Sequence, residues 1–306
     1  MRKLAFAVLL IVFTISILTM TSCFSNNYET NSYEVKEEFS KINVDTDTAN
    51  IAFVPSDDGM CRVVCYEKAN ESHSVEVQNG TLTVKVLDNR KWYDYINVGI
   101  DSPKITVYLP KTEYSSLVIN EDTGDIEIAK DFEFKSIDVS LDTGNVKCYA
   151  SATDAIKIVA STGDVYVENI SASSLDLKTS TGDITASGIT CDGNVTIGVS
   201  TGKSYLSNIK CKNLTSTGST GDTSLTNVVA TGKISIKRST GNVTLKNSDA
   251  AELFITTDTG NVTGSLLTDK VFITKTNTGR INVPNSITGG RCEITTSTGD
   301  IKISFS

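Results

Sequence analysis

The chain of 306 residues contains one histidine, His73, so histidine-based catalytic triads and His-rich metal sites would all have to share a single imidazole. It has one long apolar run, Leu4 to Met20, which is shorter than the usual membrane-spanning length. Apolar residues at helical spacing are missing from the C-terminal two thirds, which excludes an α-helical repeat there. Positive charge is also scarce. The formal net charge is −8, and −10 once Arg2 and Lys3 leave with the leader, so phosphate backbones and anionic lipid would be repelled and nucleic acid is excluded as a partner.

What is present is a period. Ten Thr-Gly pairs carry glycines at Gly124, Gly144, Gly163, Gly182, Gly202, Gly221, Gly241, Gly260, Gly279 and Gly299, always 19 or 20 residues apart. A fixed short period marks a repeat protein in which each unit contacts only its neighbours. Two and four positions after each glycine stand apolar residues, such as Ile126 and Ile128, Val165 and Val167, Ile281 and Val283, and Ile301 and Ile303. Seven and five positions before it stand others, such as Leu117 and Ile119, Leu175 and Leu177, and Leu253 and Ile255. This is the alternation of strands with one buried face. A third inward point seven residues after the glycine, at Ile170, Ile189, Ile209, Val228 and Leu267, makes the coil three-sided. The expected fold is all-β: a single-stranded parallel β-helix (β-solenoid) of about ten 19–20-residue coils, right-handed like most parallel crossovers.

The corner reads Ser/Asp-Thr-Gly-Asp/Asn. Glycine supplies positive φ, and the Ser, Asp and Asn side chains are expected to bond the turn's own backbone. The carboxylates Asp125, Asp164, Asp183, Asp222 and Asp300 stack in the next position, so a calcium ladder is the alternative reading. The paired-glycine calcium nonapeptide is absent, and no metal site or cofactor is expected. Two irregularities stand out. Val271 and Ile273 lie one place too far from Gly279, which predicts a bulge within Thr274 to Asn277. Ser216 and Gly218 occupy apolar positions, which predicts the softest coil.

Met1-Arg2-Lys3, the apolar run and Thr21-Ser22-Cys23 read as an export signal over residues 1–22. The pattern resembles a bacterial lipoprotein signal, in which Cys23 would be lipidated. Met20 departs from the usual Leu, so an N-terminal transmembrane anchor is the alternative. Residues 23–32 read as a polar tether, 33–115 as a β-rich N-terminal cap with degenerate first coils, and 116–306 as the regular solenoid. Export permits disulfides, and Cys191 and Cys211 fall in one column of consecutive coils. Their column is otherwise alanine (Ala172, Ala230, Ala250), so free thiols acting as small buried fillers are expected.

In the cap, Asp47 to Phe53 reads as a degenerate coil with Ala49 in place of glycine. Asn79-Gly80 between Ser74–Val77 and Thr81–Leu87 predicts a hairpin, with His73 as an exposed residue just before it. Met60–Tyr66, Ile96–Ile100 and Lys104–Leu109 are further expected strands. Trp92, Tyr93 and Tyr95, beside Arg90 and Lys91, would either pack on their own core or contact a sugar or protein ligand. The last strand, Ile301 to Phe305, would either leave an open edge or fold Phe305 over the final coil.

These repeats, following the apolar-Pro step Val107-Tyr108-Leu109-Pro110 and an exported N-terminus, resemble the bacterial putative-adhesin domain family of unknown function, which includes LiaG-like envelope proteins. The resemblance covers approximately Ile42 to Ser306 and implies a cell-envelope β-solenoid without catalytic residues to transfer. The expected function is therefore an extracytoplasmic, membrane-tethered interaction module that binds an envelope polymer or protein through its polar flanks. The alternative is an accessory scaffold or sensor of a membrane signalling system. A polysaccharide-active enzyme is the third reading, and the uniform coils single out no carboxylate pair for it; no catalytic activity is expected.

Overall fold

The computed structural model describes residues 28–68, 71–88 and 102–306, and these are all-β. Successive coils pair as parallel strands in the register that the columns require, for example Ile137 with Leu117 on one side and with Ile156 on the other. The fold is a β-solenoid. The aliphatic columns line its interior: Leu117, Ile119, Ile137, Val139, Leu175, Leu177, Val195 and Ile197 are all buried. A fully buried side chain of this size contributes about 1.5–3 kcal/mol, and the column repeats it coil after coil.

Each coil has three sides. The first corner is the Thr-Gly step. The second falls six residues after the glycine, where Asn169, Gly188, Asn208, Asn227 and Asn247 adopt positive φ. Asparagine is among the few side-chain-bearing residues that tolerate this conformation. At the third corner, Asn213 Nδ2 donates to Asn194 Oδ1 of the preceding coil at 2.8 Å. A third buried position also precedes the first corner, three residues before eight of the ten glycines, occupied by Glu121, Leu141, Ala160, Thr179, Val199, Arg238, Thr257 and Thr296.

The repeat glycines do more than turn the chain. Their φ values run from 122° to 154°. A Cβ on Gly163 would lie 1.8 Å from the carbonyl oxygen of Gly144, and the same clash recurs up the column. The glycine is therefore set by the approach of coil to coil as well as by local turn geometry. Every repeat glycine except Gly279 on the terminal coil donates its N–H to the threonine carbonyl of a neighbouring coil, as Gly124 N does to Thr143 O at 2.9 Å, so the ladder continues through the corner.

The cap prolongs two walls of the rod. Strand Lys41–Thr48 pairs in parallel with both Glu113–Thr123 and Thr81–Asp88, and Thr81–Asp88 then pairs antiparallel with Glu71–Gln78 through the Asn79-Gly80 turn. On the other wall, Asn50–Pro55 pairs with Ile126–Ile128 and with Lys104–Leu109, which is followed by Cys61–Lys68 and then Tyr28–Val35. Asp47 to Phe53 thus forms a coil, and Ala49 keeps an ordinary φ. Residues 28–32, expected within the polar tether, are the first half of strand Tyr28–Val35. The expected strand Ile96–Ile100 lies outside the described residues.

The C-terminal end departs from sequential stacking. Strand Gly290–Thr298 pairs with Val243–Thr259 on one side and with Lys270–Thr278 on the other, so the last coil in sequence is the penultimate one in space. Gly289 and Gly290 mark its entry: a Cβ on Gly289 would lie 1.8 Å from Asp269 O, and one on Gly290 would lie 1.8 Å from Ala251 O. Lys270, buried at the start of the terminal coil, reaches past the displaced coil to Asp249 Oδ1 at 2.6 Å and ties the terminal coil to the rod.

Several expectations change in consequence. Ile301–Phe305 pairs along its length with Val262–Leu266 and, at Ile301 and Lys302 alone, with Ile281–Asn282, so it is not the final coil and its outer edge is covered only at its start; Phe305 packs against Phe272 with ring centroids 6.1 Å apart. The expected bulge is absent: Lys270 to Thr276 pairs without interruption with Gly290 to Thr296. Phe272 takes the inward position, while Val271 and Ile273 face outward on the terminal coil and are exposed. Ile281 is exposed on the same coil because no further coil covers it. Leu267 is also exposed, since a register shift between Leu245 and Ser248 places Leu266 inside instead.

Candidate functional site

Of the expected site residues, the structure describes the glycine column, whose role is the stacking above. Cys23, Trp92, Tyr93 and Tyr95 lie outside the described residues. No helix among the described residues is long and apolar enough to cross a membrane.

The acidic corner column has a definite use. Asp125 Oδ1 accepts the backbone N–H of Asn145 at 2.8 Å, Asn145 Oδ1 that of Asp164 at 2.9 Å, Asp164 Oδ1 that of Asp183 at 2.7 Å, and Asp183 Oδ1 that of Lys203 at 2.7 Å. The ladder resumes from Asp222 to Asn242, Asn261 and Asp300. The bonds run between coils and not within one turn, which corrects the sequence expectation. At the end of the ladder Asp300 accepts both the backbone N–H and the guanidinium of Arg280, and these bonds hold its carboxyl below the usual range.

The outward face of the short side after this corner carries a different pattern. Lys147, Tyr166, Thr185, Tyr205, Ser224 and Thr244 follow one another in register, one per coil. Tyr166 is 37% and Tyr205 42% exposed, so both rings lie open to solvent on a flat strand surface. Two coils separate them, or about 10 Å along the rod. Tyr166 Oη donates to Asp164 Oδ2 at 3.3 Å, which fixes its tilt, and burial together with that carboxylate raises its pKa. Hydroxyls of Thr185, Ser224 and Thr244 flank the rings. Alternation made these residues legible as outward-facing, but nothing in it distinguished the two tyrosines as a pair.

Around the second corner, Lys111, Glu113, Lys130, Asp131, Glu133 and Tyr149 border an open groove of about 410 Å³. Lys111 Nζ pairs with Asp131 at 3.2 Å across coils, so much of its charge is internally compensated.

The cap holds a third grouping, which is buried. His73 is not an exposed loop residue: it lies in strand Glu71–Gln78 and is 3% exposed. Its Nδ1 is 2.6 Å from Glu67 Oε2, and its backbone N–H donates to the same oxygen at 2.8 Å. Asn31 Nδ2 donates to Glu67 Oε1 at 2.7 Å, and Tyr33 Oη donates to the His73 carbonyl at 3.0 Å. Cys65 lies beside them, and burial and the Glu67 charge push its thiol pKa up. All six cysteines among the described residues are free and buried, Cys191 and Cys211 included.

A rod of stacked short coils, with an aliphatic interior and long polar outer faces, defines a β-solenoid of the extended-surface kind. The chain belongs to the family described as Toastrack DUF4097, whose model matches residues 39–198 and 190–306. Among solved structures it is similar to one from Parabacteroides distasonis described as a putative adhesin, at 12% identity over 91% of this chain and 98% of that one, with a TM-score of 0.50. Another, from Bacteroides fragilis and also described as a putative adhesin, is 18% identical over 92% and 98% of the two chains, with a TM-score of 0.45. A third, from Parabacteroides distasonis, is described as a putative lipid binding protein and is 16% identical over 90% and 97%, with a TM-score of 0.34. The search of curated proteins finds no match.

Proposed function

We propose that the protein is an extracytoplasmic interaction module, tethered to the bacterial membrane through Cys23, that binds an envelope glycan polymer along the flank carrying Tyr166 and Tyr205. The carrying observation is the exposure of these two rings, two coils apart, on a flat surface lined with hydroxyls. Aromatic faces stack on sugar rings while neighbouring hydroxyls exchange hydrogen bonds, and repeated units on a linear surface match a repeated ligand. The description of structural relatives as adhesins agrees with this reading. Each contact is weak alone, so affinity grows with polymer length. The module performs no chemistry in this reading and needs no cofactor.

The test is sedimentation of purified protein with cell-wall sacculi and with soluble glycan chains of increasing length. Wild type is expected to co-sediment, and the Tyr166→Ala/Tyr205→Ala double variant to bind at least tenfold more weakly with its fold unchanged. Equal retention of the two proteins would exclude this flank, and no retention of wild type by any glycan would exclude the glycan.

A further inference from the structure

We infer that Cys65, Glu67 and His73 form a binding site for a zinc-class divalent cation in the N-terminal cap, independent of the polymer-binding flank. A thiol sulfur, a carboxylate oxygen and a ring nitrogen from these residues all lie within 4.8 Å of one another, and all three residues are buried. Sulfur, imidazole nitrogen and carboxylate oxygen are the donor types that such cations take, at about 2.0–2.3 Å each. Tetrahedral bonds of that length place donors about 3.3–3.8 Å apart, so closing the site needs side-chain shifts of about 1 Å or less.

Two further observations point the same way. The imidazole is only half used: Nδ1 faces Glu67 at 2.6 Å, whereas Nε2 is buried and meets no hydrogen-bond partner. A buried polar atom without a partner destabilises a fold by about 1–3 kcal/mol, which a cation coordinated through Nε2 would offset. The surroundings also already immobilise the donors. Asn31 holds the other oxygen of Glu67, Tyr33 holds the backbone of His73, and Cys65 and Glu67 project from one face of the same strand. Outer contacts of this kind orient ligating side chains in metal sites. The site joins strand Cys61–Lys68 to strand Glu71–Gln78, the outermost strands of the two walls but for Tyr28–Val35. A cation there would clasp the two walls at the open end of the solenoid. Binding converts the Cys65 thiol to a thiolate, and its proton leaves to solvent.

The test uses the full-length protein, reduced and stripped with a chelator, then titrated with Co²⁺ as a spectroscopic stand-in for Zn²⁺. Expected are one Co²⁺ per chain, a thiolate-to-cobalt charge-transfer band, and displacement of that band by Zn²⁺. Cys65→Ser should abolish the band, while His73→Gln and Glu67→Gln should weaken binding at least tenfold; Cys148→Ser, at a buried thiol elsewhere, should leave it intact. X-ray absorption of the wild-type Zn²⁺ complex decides without any variant, since one sulfur at about 2.3 Å is expected. Failure of wild type to bind stoichiometrically, a first shell free of sulfur, or a band that survives in Cys65→Ser would each overturn the site.

Discussion

The guanidinium of Arg238 passes across the Cα of Gly218, its register partner in the preceding coil, to reach the carbonyl of Val199 one coil further on at 3.1 Å. Nε donates to Thr223 Oγ1 and Nη2 to Ser204 Oγ, both at 2.7 Å, and the side chain is 1% exposed. The coil that sequence marks as the softest, with Ser216 and Gly218 where apolar residues are expected, is thus crossed by a buried cation with a bond on each guanidinium nitrogen. Glycine at 218 is the space that the arginine fills.

The pair should behave as a unit. A Cβ on Gly218 would lie 1.8 Å from Arg238 Nη1 and 2.1 Å from Val199 O. Gly218→Ala is expected to lower unfolding stability by about 2–4 kcal/mol, in the range of overpacking plus displaced buried hydrogen bonds. Arg238→Ala should be costly alone, because it strands Ser204, Thr223 and the Val199 carbonyl. The double variant should lose less than the sum, with a coupling of about 0.5–3 kcal/mol. Denaturant titration of the four proteins checks this, and strict additivity would show that the two sites do not interact.

The glycine column and the hairpin glycine should differ in their response to alanine. Gly182 has φ 137° and a built Cβ would sit 2.1 Å from Gly163 O, whereas Gly80 has φ 71° with nothing within 4 Å. Gly80→Ala carries only local strain, about 1–2 kcal/mol. Gly182→Ala adds a backbone collision to a strain of about 1–3 kcal/mol, so its total should exceed 3 kcal/mol. Hydrogen exchange should show the loss concentrated in the coils on either side of Gly182. Equal losses for the two variants would mean that turn conformation alone dictates the column.

Stability should fall as pH rises through the neutral range, through Glu121. Its carboxyl accepts the Ala49 N–H at 2.7 Å and contacts Thr46 Oγ1, but burial dominates and pushes its pKa up to about 8. In the unfolded chain it titrates near 4.5. Between those values the unfolded state holds fewer protons than the folded state. The stabilisation is therefore complete below pH 4.5 and drains away up to about 8, at no more than about 1.4 kcal/mol per pH unit for one proton. Glu121→Gln should flatten this dependence and be the more stable protein at the alkaline end. Parallel pH profiles of the variant and wild type would refute the assignment.

The columns on both sides of the glycine were legible because every coil must present an apolar side chain at the same place. The buried column three residues before the glycine was not, because Glu121, Thr179 and Arg238 share no hydropathy and each is satisfied by different bonds. His73 was misplaced for a related reason: Glu71 and His73 are the inward residues of their strand, and two polar inward positions hide the alternation. The tyrosine pair was readable as outward-facing but not as a site, since that depends on how neighbouring coils align. Hydrophobic period also says nothing about stacking order, and the one local trace of the displaced C-terminal coil was the Gly289-Gly290 pair.

That displaced coil gives the sharpest test of the architecture. In a sequentially stacked solenoid, removing the last coil leaves its predecessor paired as before, because each coil depends only on the one beneath. Here residues 290–306 lie between the coil ending at Gly260 and the coil of Lys270–Thr278, which has no other strand partner along its length. Truncation after residue 289 should therefore release two coils' worth of structure. Amides of Lys270–Thr278 should lose all exchange protection, and those of Val262–Leu266 most of it, since their outer partner Ile301–Phe305 is gone. Strands from Glu113 to Thr220 should be unaffected, because unfolding in such a rod stays local to the damaged end. Protection that persists in Lys270–Thr278 after truncation would require it to pair directly with the body of the rod, and the interleaved order would then be wrong.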